Sequence, residues 1–416
     1  MQYIADLHIH SKYSRACSPL LTLENIAKYC VIKGVDLVGT ADFTHPVWFA
    51  QMQENLVEDT PGIYKFKGSR ESTRFLISTE VSCIYSQGGK VRRLHIVVFA
   101  PSLEIAQKIN QALSKIGNLN ADGRPILGLS AKKLAEIVWE IDPECLIIPA
   151  HAWTPWFAIF GSKSGFDSLS ECFEEYTDRI YAIETGLSSD PAMNWRLSFL
   201  DKITLISSSD AHSLPNIGRE ANVFNLGQLT YNEICAAIKS RDKKKFLYTI
   251  EFYPEEGMYH YDGHRDCGIV FTPVESKKHQ NICPVCKKPL TVGVLNRVAE
   301  LADRPEGFVP PNSIPFISLV ELDKIIAESF NIKSRRSKAV QAEYDKMIKK
   351  GKNELNILLN LSYDELGKIT TSRIVEGVKR MRECRLIIQP GYDGVYGKVE
   401  IFKPEERSIK QQTSLF

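Results

Sequence analysis

A chain of 416 residues is long enough for two or three domains and a sizeable core. With 44% apolar and 25% charged residues and a formal net charge of +2, it is neither a disordered polyelectrolyte nor a chain built for lipid. No apolar run approaches membrane-spanning length and no signal peptide opens the sequence, so a cytoplasmic protein with no membrane partner is expected. Of the 10 cysteines only Cys267, Cys283 and Cys286 cluster, which predicts reduced thiols and one metal site, not a disulfide framework.

The first 250 residues read as short strands alternating with helices. In the opening strand, Ala5, Leu7 and Ile9 alternate with Asp6, His8 and His10, and the period of two puts both imidazoles on one face. A helix over 23–33 follows, with Thr22 as N-cap and Gly34 as stop. The next apolar run ends at Thr40-Ala41-Asp42-Phe43-Thr44-His45. Later strands end at Glu80, at His151, at Glu184 and at Asp210-Ala211-His212, and His95 sits inside the strand over 93–99. Strands alternating with helices predict an α/β barrel, and acids and histidines at the C-terminal strand ends are where such a barrel places its active site. Mixed imidazole and carboxylate donors suit divalent metals such as zinc or manganese.

These motifs resemble the polymerase-and-histidinol-phosphatase (PHP) family of metal-dependent phosphoesterases. The likeness rests on the opening D-x-H-x-H (Asp6, His8, His10), Glu80, the single histidines His95 and His151, and the closing Asp210-x-His212. The resemblance implies a distorted (β/α)7 barrel holding two or three divalent ions (Zn, Mn or Mg). Its ligands are expected among His8, His10, Asp42, Glu80, His95, His151, Asp210 and His212, with Glu80 bridging two ions. Two close ions activate water and neutralise phosphate charge in an in-line displacement. The family usually places an acid or imidazole soon after its first motif. Here the segment is Ser14-Arg15-Ala16-Cys17-Ser18, where Cys17 would serve only as a thiolate, so a two-metal site is the safer expectation. His45 is a weaker ligand or a substrate contact. Arg15 and Arg219 lie near the first and last motifs and are candidates to hold phosphate oxygens. Trp153 and Trp156, beside His151, either pack under a loop or offer a stacking face to a nucleobase.

Residues 251–305 change in texture. His264-x-x-Cys267 and Cys283-x-x-Cys286 have the spacing of a zinc ribbon, a closed structural site that folds a small module around one Zn. His260 and His279 compete with His264 for the fourth position. Beyond a proline-rich hinge, residues 306–410 read as mainly helical, and residues 306–416 hold 19 Lys and Arg against 15 Asp and Glu. The basic groups 333–338, 349–352 and 379–385 are each best explained as solvated helix faces. Together they make contact with a phosphate backbone credible. Residues 390–397 read as a turn into a short strand pair. The final stretch, 411–416, resembles the Q-x-S-L-F peptide that docks bacterial proteins into the sliding clamp, with Gln412, Leu415 and Phe416 as its contacts.

The whole chain resembles the endonuclease Q family, through Asp6–His10, Gly39–Pro46, Tyr259–Arg265 and Gly391–Gly397. That resemblance implies a repair nuclease with damaged DNA as partner, nicking 5′ to deaminated bases (uracil, hypoxanthine, xanthine) or abasic sites, in a nucleoid-associated cytoplasmic setting. The competing expectations are a small-molecule phosphatase and a non-catalytic DNA-binding adaptor.

Overall fold

In a computed structural model describing residues 1–68 and 71–407, the barrel is filled in turn by strands Gln2–Asp6, Leu37–Gly39, Arg74–Leu76, Lys90–Phe99, Leu146–Pro149, Ala182–Glu184 and Thr204–Ile206. The first three pair in parallel, through Ala5 with Leu37 and Val38 with Phe75. The Arg74–Leu76 strand continues past Ile77 into the long strand Ser78–Gln87, which turns back as Lys90–Phe99. Lys90–Phe99 therefore runs antiparallel to Leu146–Pro149 as well. This one reversed strand is the distortion of the barrel. Closure comes at the strand ends, where His10 N donates to Ala211 O (3.1 Å) and Asp210 N to His8 O (3.0 Å).

The period of two sorts the core. Ala5, Leu7, Leu37, Leu76, Val97, Phe99, Leu146, Ile148, Ala182 and Ile206 belong to one buried cluster that fills the barrel. Their alternates, including Val38, Phe75, Ile77, Ile96, Val98, Ile147 and Ile183, pack into a second cluster with the helices. The first helix spans Leu23–Lys33 as expected. Thr22 accepts from Asn25 N, and Gly34 ends the helix at φ 90°, a conformation glycine adopts without a Cβ clash. Two strands extend the sheet outward from the opening strand, Ala221–Asn225 and Phe246–Glu251, and Phe316–Ser318 adds itself to the latter. The segment after the proline-rich hinge thus returns to the barrel sheet before the C-terminal helices begin.

Those helices share the barrel's outer core. Ile325, Val340, Met347, Ile357, Ile374 and Phe402 are buried in the same cluster as Ile26, Trp48 and Phe75. A buried ion pair ties the two parts, with Lys33 Nζ 2.6 Å from Glu354 Oε2. The zinc-spaced module carries the hairpin Asp262–His264 and Ile269–Phe271 and the helix Pro273–Lys278, begun by a Thr272–Glu275 capping box. It is clamped by the late hairpin Ile387–Gln389 and Lys398–Glu400. Tyr261 N donates to Gly391 O (2.9 Å), Gly391 N to Glu255 O (2.9 Å) and Gly394 N to Met258 O (3.0 Å). A Cβ on Gly397 would lie 1.9 Å from Glu255 O, so only glycine allows this approach. Among the described residues no helix is long and apolar enough to cross a membrane. The expected clamp-binding residues Gln412, Leu415 and Phe416 lie outside the described residues.

Candidate metal centre and nucleic-acid surface

Two groups of side chains that could hold a metal ion meet at the mouth of the barrel. His8, His10 and Asp210 form one, and Glu80, His95 and His151 the other, each with donor atoms within 4.8 Å of one another. Glu80 joins them. Its Oε1 lies 3.0 Å from His95 Nδ1 and 3.1 Å from His151 Nε2, while its Oε2 lies 3.4 Å from His10 Nε2 and 3.7 Å from His8 Nε2. Glu80 is not at a strand end. It is the third residue of the long Ser78–Gln87 strand, buried under both groups.

In the second group His151 Nε2 is within hydrogen-bond distance of both Glu80 Oε1 and His95 Nδ1 (3.1 Å each), whereas the donor atoms of the first group stand unpaired. His10 Nε2 and Asp210 Oδ1 are 3.0 Å apart, yet both are buried without a hydrogen-bond partner, as is His8 Nε2. Orphaned buried polar atoms are costly, and lone pairs converging without hydrogen-bond alignment mark a coordination site. The far sides of the rings are held. His8 Nδ1 is 2.9 Å from Glu184 Oε2, and His10 Nδ1 is 3.3 Å from Asp42 Oδ1. Burial alone would raise the Glu80 carboxyl, but His95, Arg124 and His8 around it hold it well below the usual range. His95 is pushed down to about 4, chiefly by burial.

Backbone strain collects at this mouth. Ala41, Asp42, His151 and Asp210 have φ of 60°, 43°, 28° and 47°. Non-glycine residues adopt such angles rarely, and then where surrounding structure enforces them at functional sites. Gly186 makes room for one of them, because a Cβ there would lie 2.5 Å from His151 Cβ.

Several expected residues stand elsewhere. Asp42 lies behind His10, not among the ligands. Its Oδ2 accepts from Ser11 N (2.8 Å), Ser11 Oγ (2.6 Å) and Ser14 Oγ (2.8 Å), so its strained backbone turns the carboxylate into a bracket for the ligand. His212 packs on His10 with ring centroids 4.5 Å apart, and its Nδ1 lies 2.8 Å from Asp210 O, at the edge of the first group. His45 caps the helix Pro46–Asn55, its Nδ1 accepting from Trp48 N, and its ring stacks on Tyr13 at 4.4 Å. Burial pushes the Cys17 thiol up to about 12, and Cys17 does not gather with either group of candidate ligands.

Arg219 is fastened to Ser209 O by its Nε and Nη2 (3.1 and 2.9 Å). Arg15 is exposed on the surface, its backbone N–H tied to Asp122. Trp153 is a core residue, 1% exposed, with Nε1 bonded to Asn194 Oδ1 (2.8 Å) and its ring against Phe160, so it offers no stacking face. Trp156 is 38% exposed and meets Tyr259 edge-on at 5.8 Å. Neighbouring Phe157 packs on His95.

Two further residues line this mouth, one of them an acid the sequence marks at a strand end without assigning it a role. Glu184 ends a strand like the other acids, so its signal was present. Arg124, whose Nη1 is 3.0 Å from Glu80 Oε2, lies in an irregular loop with no periodicity to expose it.

In the module, His264, Cys267, Cys283 and Cys286 gather within 4.8 Å, with His264 Nε2 3.7 Å from Cys286 Sγ. His260 is buried beside Tyr261 and His279 stacks on Phe271, so neither belongs to this group. Three cysteine sulfurs and one imidazole are a donor set that suits a closed structural zinc site. Cys283→Ser is expected to lower the zinc content by one ion per chain and to loosen the module. Zinc analysis together with limited proteolysis across 254–293 checks this.

Of the basic groups in the C-terminal helices, the one at 379–385 is largely spent inside the fold. Arg380 pairs with Glu376 and Glu406, Arg385 with Glu383 and Glu376, and Arg382 caps the carbonyls of Ile357 and Leu358. Arg335 is likewise paired with Glu321 and Asp323. Lys333, Arg336, Lys338, Lys349, Lys350 and Lys352 remain exposed.

Residues 321–385 match the family described as MJ0043 C-terminal domain. The chain is 32% identical over 265 residues to the uncharacterized protein MJ0043 of Methanocaldococcus jannaschii, covering 62% of this chain but only 32% of that protein's length. Among solved structures, it is similar to the lesion-specific endonuclease PfuEndoQ of Pyrococcus furiosus, at TM-score 0.86 and 29% identity over 100% of this chain and 98% of that one. It is also similar, at TM-score 0.85 and 30% identity over the full length of both chains, to endonuclease Q in complex with a 27-mer duplex substrate carrying an abasic lesion at its active site.

Proposed function

The chain belongs to the endonuclease Q family, and from that premise we propose that it hydrolyses the phosphodiester on the 5′ side of a damaged nucleotide in DNA. The observation that carries this reading is the pair of ligand groups sharing Glu80 at the mouth of a fold that matches, end to end, a relative complexed with lesion DNA. Divalent cations held there would supply Lewis-acid activation of water and charge neutralisation at phosphorus. We assign two ions, of magnesium, manganese or zinc, and one further zinc in the module.

The chain's own residues do the positioning. Glu80 holds the two groups at a fixed spacing. Glu184 and Asp42 fix the ring orientations of His8 and His10, and such outer partners are worth roughly 10–100-fold in metal affinity or activity. The exposed lysines and Arg336 of the C-terminal helices suit backbone phosphates, where each contact adds affinity without reading sequence. Deaminated bases and abasic sites are the proposed lesions. The sliding clamp is a proposed partner on the strength of the tail peptide Gln412–Phe416.

A 5′-labelled duplex with one deoxyuridine, deoxyinosine or abasic site tests the reading. With magnesium or manganese, the protein is expected to nick beside the lesion, and neither the undamaged duplex nor a His8→Ala, Asp210→Ala variant is expected to give a product. Hydrolysis of small phosphomonoesters without nicking would instead make the barrel a phosphatase. Tight DNA binding with no turnover under any divalent ion would make the protein an adaptor.

A further inference from the structure

The site is crowded with acids, and among the described residues one guanidinium reaches the carboxylate that both ligand groups share. Arg124 Nη1 lies 3.0 Å from Glu80 Oε2, the oxygen that also faces His8 and His10. Arginine has no lone pair to give and does not deprotonate in proteins, so this residue cannot be a ligand. Its side chain makes that one hydrogen bond, although a guanidinium has five N–H donors in a planar fork. The side chain is 22% exposed, so the fork is open to solvent beside the buried Glu80.

The loop beneath it is fixed from several sides. Asp122 Oδ1 accepts from Arg124 N (3.0 Å) and Arg15 N (3.2 Å). Gly123 N donates to Tyr13 O (3.0 Å), and Gly123 O accepts from Thr44 Oγ1 (3.2 Å). Pro125 O accepts from Ser82 N (3.0 Å), two residues along the strand from Glu80. A Cβ on Gly123 would lie 2.4 Å from both Asp42 Oδ2 and Ser14 Oγ, so the loop is seated against the bracket that holds His10. A cationic fork fixed this firmly, with only one donor committed, is preorganised for an anion with several oxygens.

Resting on the endonuclease reading above, we propose that Arg124 is a catalytic residue that binds a non-bridging oxygen of the scissile phosphate. Hydrolysis forms one bond from the water oxygen to phosphorus and breaks one P–O ester bond. One proton of the water ends on the leaving alcohol and the other on the new phosphate or in solvent. Arg124 takes no proton. It stabilises the negative charge that grows on the non-bridging oxygens as the two bonds exchange, and its planar fork suits that geometry better than a lysine point charge does.

The test compares wild type, Arg124→Gln and Arg124→Lys, all full length and metal-loaded, in single-turnover nicking of a lesion duplex. Metal content and thermal midpoint are recorded alongside. Arg124→Gln should slow nicking by about 10²–10³-fold with KM and metal content unchanged, and Arg124→Lys should recover part of the loss. With the Rp and Sp phosphorothioates at the scissile position, wild type should prefer one isomer and Arg124→Gln should lose that preference. Nicking by Arg124→Gln within about threefold of wild type, or a loss that tracks loss of bound metal, would overturn the assignment. A wild-type protein that does not nick lesion DNA overturns the endonuclease reading itself, whereas a wild type that nicks beside an unimpaired Arg124→Gln overturns this role alone.

Discussion

Glu80→Gln is expected to abolish nicking, with a loss of at least about 10³-fold, because one carboxylate serves both ligand groups. The substitution keeps shape and volume in a position that is 1% exposed, so the strand and its hairpin should survive. What changes is chemistry. A carboxylate offers lone pairs on both oxygens, while the carboxamide offers one oxygen and an NH2 that donates. Whichever way the amide turns, one group meets N–H donors where its ligands converge, and Arg124 loses its anionic partner. Metal analysis should show both groups depleted while the module keeps its zinc. Retention of the barrel metals with nicking within tenfold of wild type would remove Glu80 from the centre of the site.

The second large effect concerns stability. Glu354→Ala is expected to cost about 3–5 kcal/mol, the usual penalty for stranding one partner of a buried ion pair. Glu354 is 3% exposed. It accepts from Lys33 Nζ (2.6 Å), from Tyr344 Oη (2.6 Å) and from Leu322 N (3.1 Å), so alanine leaves a buried ammonium and two further donors unsatisfied. The lysine's other contact, to Pro215 O at 3.1 Å, does not neutralise it. Denaturant unfolding should show the C-terminal helices lost first, as they are joined to the barrel here. A Lys33→Met, Glu354→Leu double variant should regain most of the loss, because an apolar pair of similar volume asks for no counter-charge. A single variant within about 1 kcal/mol of wild type would show that solvent reaches the pair.

The sequence exposed whatever repeats with a period or a fixed spacing. The alternation in Ala5–His10 marked His8 and His10, and the two knuckles marked His264, Cys267, Cys283 and Cys286. Thr22 and Gly34 set the limits of the first helix to the residue. Contacts made in three dimensions were hidden. Asp42 follows an apolar strand as a ligand would, and only the left-handed turn at Ala41 and Asp42 sends it behind His10. Trp153 sits two residues beyond His151, where the sequence left packing and stacking equally open, and the loop folds it inward onto Phe160. Charge counting overstated the basic group at 379–385, because Glu376 and Glu383 neutralise its arginines from close by in the sequence and folding adds Glu406. Arg124 had no signal at all, since its loop owes its shape to hydrogen bonds shared with Tyr13, Thr44 and Ser82.

The seating of the zinc module under the hairpin at 387–400 bears on how the protein is born. Ribosomes release the chain from its N-terminus, and folding units that close locally can form as they emerge. This molecule does not close locally. Its first strand waits for Ala221–Asn225, His10 waits for Asp210, and the module waits for Gly391 and Gly397. A nascent or prematurely terminated polypeptide therefore carries the first histidines without a finished cutting centre. The metal-binding groups are thus completed about halfway along the chain, by Asp210, and the module only at its far end, by Gly391 and Gly397.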